Sequence, residues 1–151
     1  MNGKYVLILD TNAIERQVMV GMLRGAGYRV FDTDSALSAR NIVERFPLDA
    51  VVVDRGFCAD ESLAFLAIVQ ARHPRVARVL MTDDPQSPEA LRAMGIGHTH
   101  SLLLKPIVEP ELLFGLVRAL RKAEFAPEPP SPENEIFPTV CFFNRLELGR
   151  A

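Results

Sequence analysis

Three runs in this chain, Tyr5-Val6-Leu7-Ile8-Leu9, Ala50-Val51-Val52-Val53 and Leu102-Leu103-Leu104, are apolar at every position. A strand of that kind has no face to give to water and must be covered on both sides. A fourth run, Val76 to Met81, is apolar except at Arg78, and a fifth, Tyr28-Arg29-Val30-Phe31, alternates and suits a sheet edge. Helix-spaced stretches separate the runs, so the cover is supplied by the chain itself, as βαβ units around a parallel sheet.

The helical stretches are read from spacing. Ile14, Val18 and Met22 fall at four-residue steps, Leu63 and Leu66 share a face, and Leu112, Leu113, Leu116, Val117 and Leu120 form a stripe. Ser87-Pro88-Glu89 has the layout of an N-cap followed by a first-turn proline and acid, and Gly25, Gly27, Gly95 and Gly97 stand where helices stop in a left-handed conformation. Five strands and five helices result, and the folded domain is expected to span residues 1–125. Prolines at 127, 129, 130, 132 and 138 make 126–138 an extended linker. The remaining 139–151 form a short apolar tail, with Val140, Phe142, Phe143, Leu146 and Leu148, expected to pack on its own domain or on a partner subunit.

Composition narrows the function classes. At 151 residues with 48% hydrophobic content the chain can bury one core, and a formal net charge of -2 argues against a nucleic-acid surface built on bulk positive charge. No direct nucleic-acid contact is expected. Two cysteines, Cys58 and Cys141, in separate segments give neither a disulfide framework nor a thiolate metal site. With no apolar stretch approaching the roughly 20 residues of a membrane span, a cytoplasmic protein with no membrane contact is expected.

In a parallel α/β sheet, ligands gather outside the carboxyl ends of the strands. Four polar residues stand there: Asp10 after the first run, Asp54 after the third, Thr82 after the fourth, and Lys105 after the fifth, followed by Pro106. Two carboxylates, a hydroxyl and an ammonium converging on one small volume suit an oxyanion held by a cation. Singly, each residue has an ordinary structural reading as a turn, cap or solvated group.

Taken together they resemble the receiver domain of response regulators in two-component signalling, across nearly all of 4–123. Val6-Leu7-Ile8-Leu9-Asp10 looks like that family's first strand with its acidic end. Ala50-Val51-Val52-Val53-Asp54 looks like the strand ending in the phosphorylated aspartate, Val79-Leu80-Met81-Thr82 like the one ending in the switch hydroxyl, and Leu103-Leu104-Lys105-Pro106 like the Lys-Pro signature. The resemblance implies a flavodoxin-like, CheY-like (βα)5 three-layer sandwich with strand order 2-1-3-4-5. It also implies a phosphoacceptor at Asp54, assisted by Thr82 and Lys105, and Mg²⁺ held by Asp10, Asp54 and the backbone carbonyl of Gly56. A cis Lys105-Pro106 bond belongs to the same pattern. No organic cofactor is implied, and no enzyme activity beyond self-catalysed phosphotransfer and autodephosphorylation. The partners implied are a histidine kinase or phosphotransfer protein and a downstream protein target. Self-association would use the α4-β5-α5 face or the C-terminal tail.

Several positions depart from the family pattern. The second of the family's paired acids is Thr11, a degenerate ligand position that should lower Mg²⁺ affinity; Asn12 adds a neutral oxygen donor but no charge. Asp83 stands where a small residue is usual and would obstruct an incoming phosphoryl group, Leu102 occupies the aromatic switch position, and Arg55-Gly56-Phe57-Cys58 lacks the common proline. The second reading is therefore a pseudo-receiver that works as an interaction module with weak or no phosphorylation. A flavodoxin-like or dinucleotide-binding enzyme is a third, disfavoured because Asp10-Thr11-Asn12-Ala13-Ile14-Glu15 offers acids and no phosphate-cradling glycine. His98 and His100 lack a third metal ligand and read as loop or edge-strand residues.

Overall fold

The computed structural model describes residues 3–56, 59–95 and 97–127. Five strands alternate with five helices: β1 (Tyr5–Leu9), α1 (Ala13–Gly25), β2 (Arg29–Thr33), α2 (Ala36–Arg45), β3 (Ala50–Asp54), α3 (Ala59–Arg72), β4 (Ala77–Thr82), α4 (Pro88–Gly95), β5 (Ser101–Leu104) and α5 (Glu109–Glu124). All pairings are parallel, in the order β2-β1-β3-β4-β5. This is the doubly wound, flavodoxin-like arrangement expected from the sequence, with the alternating β2 at one edge. The expectations for most of the 126–138 linker, for the 139–151 tail and for Phe57, Cys58 and Cys141 lie outside the described residues.

The pleat sends alternate side chains to opposite faces. Val6, Ile8, Val52, Val79 and Met81 pack with Met19, Val20 and Leu23 of α1 and with Leu112, Leu116 and Ala119 of α5. Leu7, Leu9, Val51, Val53 and Leu80 pack on the other side with Ala39 and Val43 of α2, Phe65, Leu66 and Val69 of α3, and Ala93 of α4. Two cores back to back explain why β3 is buried at every residue.

The sequence spacing located α1 without fixing which of its faces is buried. Ile14 and Val18 are 79% and 51% exposed, while Met19, Val20 and Leu23 turn inward. Both sets have helical spacing, and the inward direction is set by the sheet and α5. Ser87 caps α4 as expected, accepting from Ala90 N–H at 3.1 Å. Of the four stop glycines, Gly27 and Gly97 adopt positive φ, whereas Gly25 and Gly95 are the closing residues of their helices. At Gly115 the requirement is space: a Cβ there would stand 2.6 Å from Leu103 Cδ2, so glycine lets α5 lie close on β5.

Register delivers the strand-end residues to one place. Leu9 pairs with Val53, Asp54 with Met81, and Thr82 with Leu104. Asp10, Asp54, Thr82 and Lys105 therefore sit in adjacent rows at the carboxyl edge. Backbone bonds carry the ladder past the strand ends, from Asp10 N–H to Thr33 O (3.1 Å), Arg55 N–H to Met81 O (3.0 Å) and Lys105 N–H to Thr82 O (2.8 Å).

Candidate functional site

A cavity of about 540 Å³ opens at that edge, lined by Asp54, Thr82 and Lys105 together with Thr11, Glu15 and Asp83. The Lys105 ammonium donates to Asp54 Oδ1 at 2.8 Å and to Glu15 Oε1 at 2.7 Å, and lies 3.9 Å from Asp10 Oδ2. Burial alone would discharge this lysine. Its hydrogen bonds to Asp54 and Glu15 and the charges of Asp54 and Asp10 outweigh that effect and hold its pKa above the ordinary lysine value. The Lys105-Pro106 peptide bond is cis.

Asp10 is 1% exposed. Its Oδ1 accepts from Asn12 N–H at 2.8 Å, but Oδ2 has no hydrogen-bond partner. Desolvation, with the charges of Asp54 and Glu15 added, raises its pKa to about 6 against the lowering effects of the Asn12 bond and Lys105. Arg16 braces the strand end from outside, donating through Nη1 to Asp10 O (2.8 Å) and through Nε to Asp32 Oδ2 (2.8 Å).

Asp54 is carried by β3 and fixed from behind by Ser62, whose hydroxyl donates to Asp54 O at 2.7 Å and reaches Arg55 O at 3.1 Å. Gly56 follows with φ of +62°, and a Cβ there would stand 3.5 Å from Asp54 Oδ2 and 4.0 Å from Thr11 Oγ1. Glycine leaves that space between the acid and the Thr11 hydroxyl open. Thr82 is 1% exposed and its hydroxyl is committed to a local turn, accepting from Asp84 N–H (3.0 Å) and donating to Asp84 O (3.2 Å).

The residues that depart from the family pattern have defined places. Asn12 caps α1, its side-chain oxygen accepting from Glu15 N–H at 3.0 Å. Asp83 lies at the cavity rim with its side chain 78% exposed, 3.7 Å from Arg55 Nη1, so its charge faces solvent and a guanidinium rather than filling the hollow. Leu102 is half-buried on β5 beside the second core.

All four strand-end residues named from sequence converge here; Glu15, Arg16 and Ser62 were missed. Glu15 had a signal, because it stands four residues before Met19 and eight before Leu23 and so continues the buried stripe of α1 up to the sheet edge. His98 and His100 do not reach the cavity. The His98 carbonyl accepts from Arg78 Nε at 2.9 Å, and His100 Nδ1 accepts from Arg78 N–H at 3.0 Å. Among the described residues no group of three or more His, Cys, Asp or Glu side chains is placed to hold a metal ion.

A parallel (βα)5 domain with an acid, a hydroxyl and a lysine gathered at the carboxyl edge defines a receiver domain of two-component signalling. The family model of the response regulator receiver domain matches residues 6–117, and the chain belongs to that family. Among curated proteins it is similar to the sensory/regulatory protein RpfC of Xanthomonas campestris pv. campestris, 29% identical over 111 residues, which are 72% of this chain and 15% of that protein. The chain thus spans only a small part of that relative. Among solved structures it resembles the signal receiver domain of an HD domain-containing protein from Pseudomonas fluorescens Pf-5 (TM-score 0.74, 22% identity, 82% of this chain and 91% of that one). It also resembles the chemotaxis response regulator CheY4 of Vibrio cholerae (TM-score 0.71, 22% identity, 79% and 100%). These two likenesses speak for the fold.

Proposed function

We propose that this receiver domain is a phosphoacceptor switch in which Asp54 takes a phosphoryl group from a histidine kinase or phosphotransfer protein. The observation that carries the reading is the 2.8 Å contact of Lys105 Nζ with Asp54 Oδ1 inside an open cavity. An Asp54 carboxylate oxygen forms the new P–O bond while the P–N bond of a phosphohistidine breaks and the imidazole leaves. Lys105 turns from the carboxylate to a phosphoryl oxygen, keeping one cation beside the transferred charge. The Thr82 hydroxyl, released from Asp84, donates to another phosphoryl oxygen, and its departure loosens the turn at the end of β4.

The donor set suits a hard divalent cation such as Mg²⁺. Asp10 and Asp54 would be its two acidic ligands, the buried Asp10 Oδ2 lacks any hydrogen-bond partner, and the space that Gly56 leaves open lies against Asp54 Oδ2 and Thr11 Oγ1. Bound there with the Gly56 carbonyl, it would neutralise charge on the transferring group. With Thr11 supplying a hydroxyl for a carboxylate, affinity is lower than a three-acid site would give.

Signalling then proceeds by protein contact in the cytoplasm rather than by an enzymatic output. Leu91 and Met94 on α4, Leu104 on β5 and Phe114 on α5 are exposed apolar residues on the elements that would carry the message to a downstream target or a second copy. Residues 1–125 form the switch in this reading, and 126–138 tether the apolar 139–151. Among the described residues no helix is long and apolar enough to cross a membrane.

Incubation with Mg²⁺ and acetyl phosphate, followed by intact-mass measurement, tests the reading. One phosphoryl adduct on the wild type and none on Asp54→Asn is the expected result. No adduct, and no change in the amide spectrum with beryllofluoride, would favour the pseudo-receiver, a reading supported by Thr11 and by the prior engagement of the Thr82 hydroxyl with Asp84.

A further inference from the structure

Glu15 is a carboxylate at the site that neither the strand ends nor the paired-acid pattern accounts for. It stands in the first turn of α1, where an acid ordinarily reaches back to the cap or serves the helix dipole. Here it instead meets Lys105 Nζ at 2.7 Å, slightly closer than Asp54 does at 2.8 Å. The ammonium is therefore shared between two carboxylates.

Charge counting shows what this sharing does. Asp10, Asp54 and Glu15 against Lys105 leave a formal excess of two negative charges, the balance a divalent cation neutralises. Without Glu15 the excess falls to one, and Lys105 is free to pair fully with Asp54. Asp10 Oδ2 meanwhile is buried, without a hydrogen-bond partner and 3.9 Å from the same ammonium. Glu15 Oε1 is taken up by Lys105 Nζ, so its contact is with the ammonium.

We propose that Glu15 is a positioning residue that makes good, through Lys105, the negative charge absent at Thr11: it shares the ammonium with Asp54 and so leaves Asp10 and Asp54 more available to a divalent cation. The proposal rests on the phosphoacceptor reading for the use of that cation. Glu15 thereby restores the site's charge without restoring its third ligand.

Mg²⁺ titration of the full chain, followed by backbone amide shifts at neutral pH and low salt, tests it. Glu15→Gln should weaken binding roughly five-fold, the scale of one partly screened unit charge removed at short range. In a Lys105→Gln background the same change should matter by roughly two-fold or less, since no ammonium remains to be shared. Thr11→Asp added to Glu15→Gln should recover wild-type affinity or better. Unchanged or tighter binding in Glu15→Gln overturns the proposal and leaves the phosphoacceptor reading standing. An equal loss in both backgrounds also overturns it, by showing direct action on the cation. A wild type with no saturable shifts through the millimolar range removes both readings together.

Discussion

Lys105 Nζ and Asp54 Oδ1 lie 2.8 Å apart although 51 positions separate the residues, and the contact closes the gap between the ends of β3 and β5. The lysine side chain is 17% and the aspartate 9% exposed, so neither charge is well solvated. Removing the cation leaves three carboxylates facing one another across the cavity. Lys105→Met should therefore lower stability by about 1–3 kcal/mol in urea unfolding without divalent cations. Asp54→Asn introduced into the same variant should return part of the loss. A Lys105→Met protein as stable as wild type would mean the carboxylates do not need the ammonium.

Gly115 offers a test of packing independent of the site. Alanine in a helix interior ordinarily gains about 1 kcal/mol over glycine. At this position the added Cβ meets Leu103 Cδ2 at 2.6 Å, and Leu103 is a buried core residue whose side chain must shift. Gly115→Ala should be net destabilising by about 1 kcal/mol, because the overpacking outweighs the helix gain. In a Leu103→Ala background the sign should reverse, and a gain in the otherwise wild-type chain would show that α5 can simply lift away.

Strand ends were legible because a run apolar on both faces stops abruptly at a polar residue, and parallel register leaves those residues little freedom to miss one another. The inward face of α1 was not, since Ile14-Val18-Met22 and Glu15-Met19-Leu23 have the same spacing and only tertiary packing separates them. That ambiguity hid Glu15. Arg78 was hidden for another reason: it is a buried cation on β4 whose partners are the carbonyls of Pro74, Val76, Gly97 and His98. Backbone acceptors leave no mark in the residue types around them.

Thr82 closes a turn with Asp84 before any ligand arrives. Thr82→Ala removes the acceptor of Asp84 N–H and the donor to Asp84 O, which should cost about 1 kcal/mol. Thr82→Ser keeps both bonds and should lose less. Denaturant midpoints of the three proteins, at unchanged m-value, read the difference; equal midpoints for Ala and Ser would show that the turn does not depend on the hydroxyl.

His100 makes stability depend on pH through a part of the fold remote from the cavity. Burial first, and then the charges of Arg78 and Lys122, push its pKa down from 6.5 to about 4. Both ring nitrogens face donors of Arg78: Nδ1 accepts from its N–H at 3.0 Å, and Nε2 lies 3.3 Å from its Nη2. Between the two pKa values the unfolded chain binds a proton that the folded one refuses, so this residue's contribution to stability is full above about 6.5 and declines as pH falls toward 4. The decline should amount to about 1–3 kcal/mol. His100→Asn keeps an acceptor for the Arg78 N–H but does not titrate, and should not show this part of the loss. Asp10, whose raised pKa of about 6 acts in the opposite direction over much of the same range, is common to both proteins and cancels in their difference. Urea unfolding of the pair at pH 7 and pH 4.5 measures that difference, and a gap that does not change with pH would show that the ring accepts its proton without leaving Arg78.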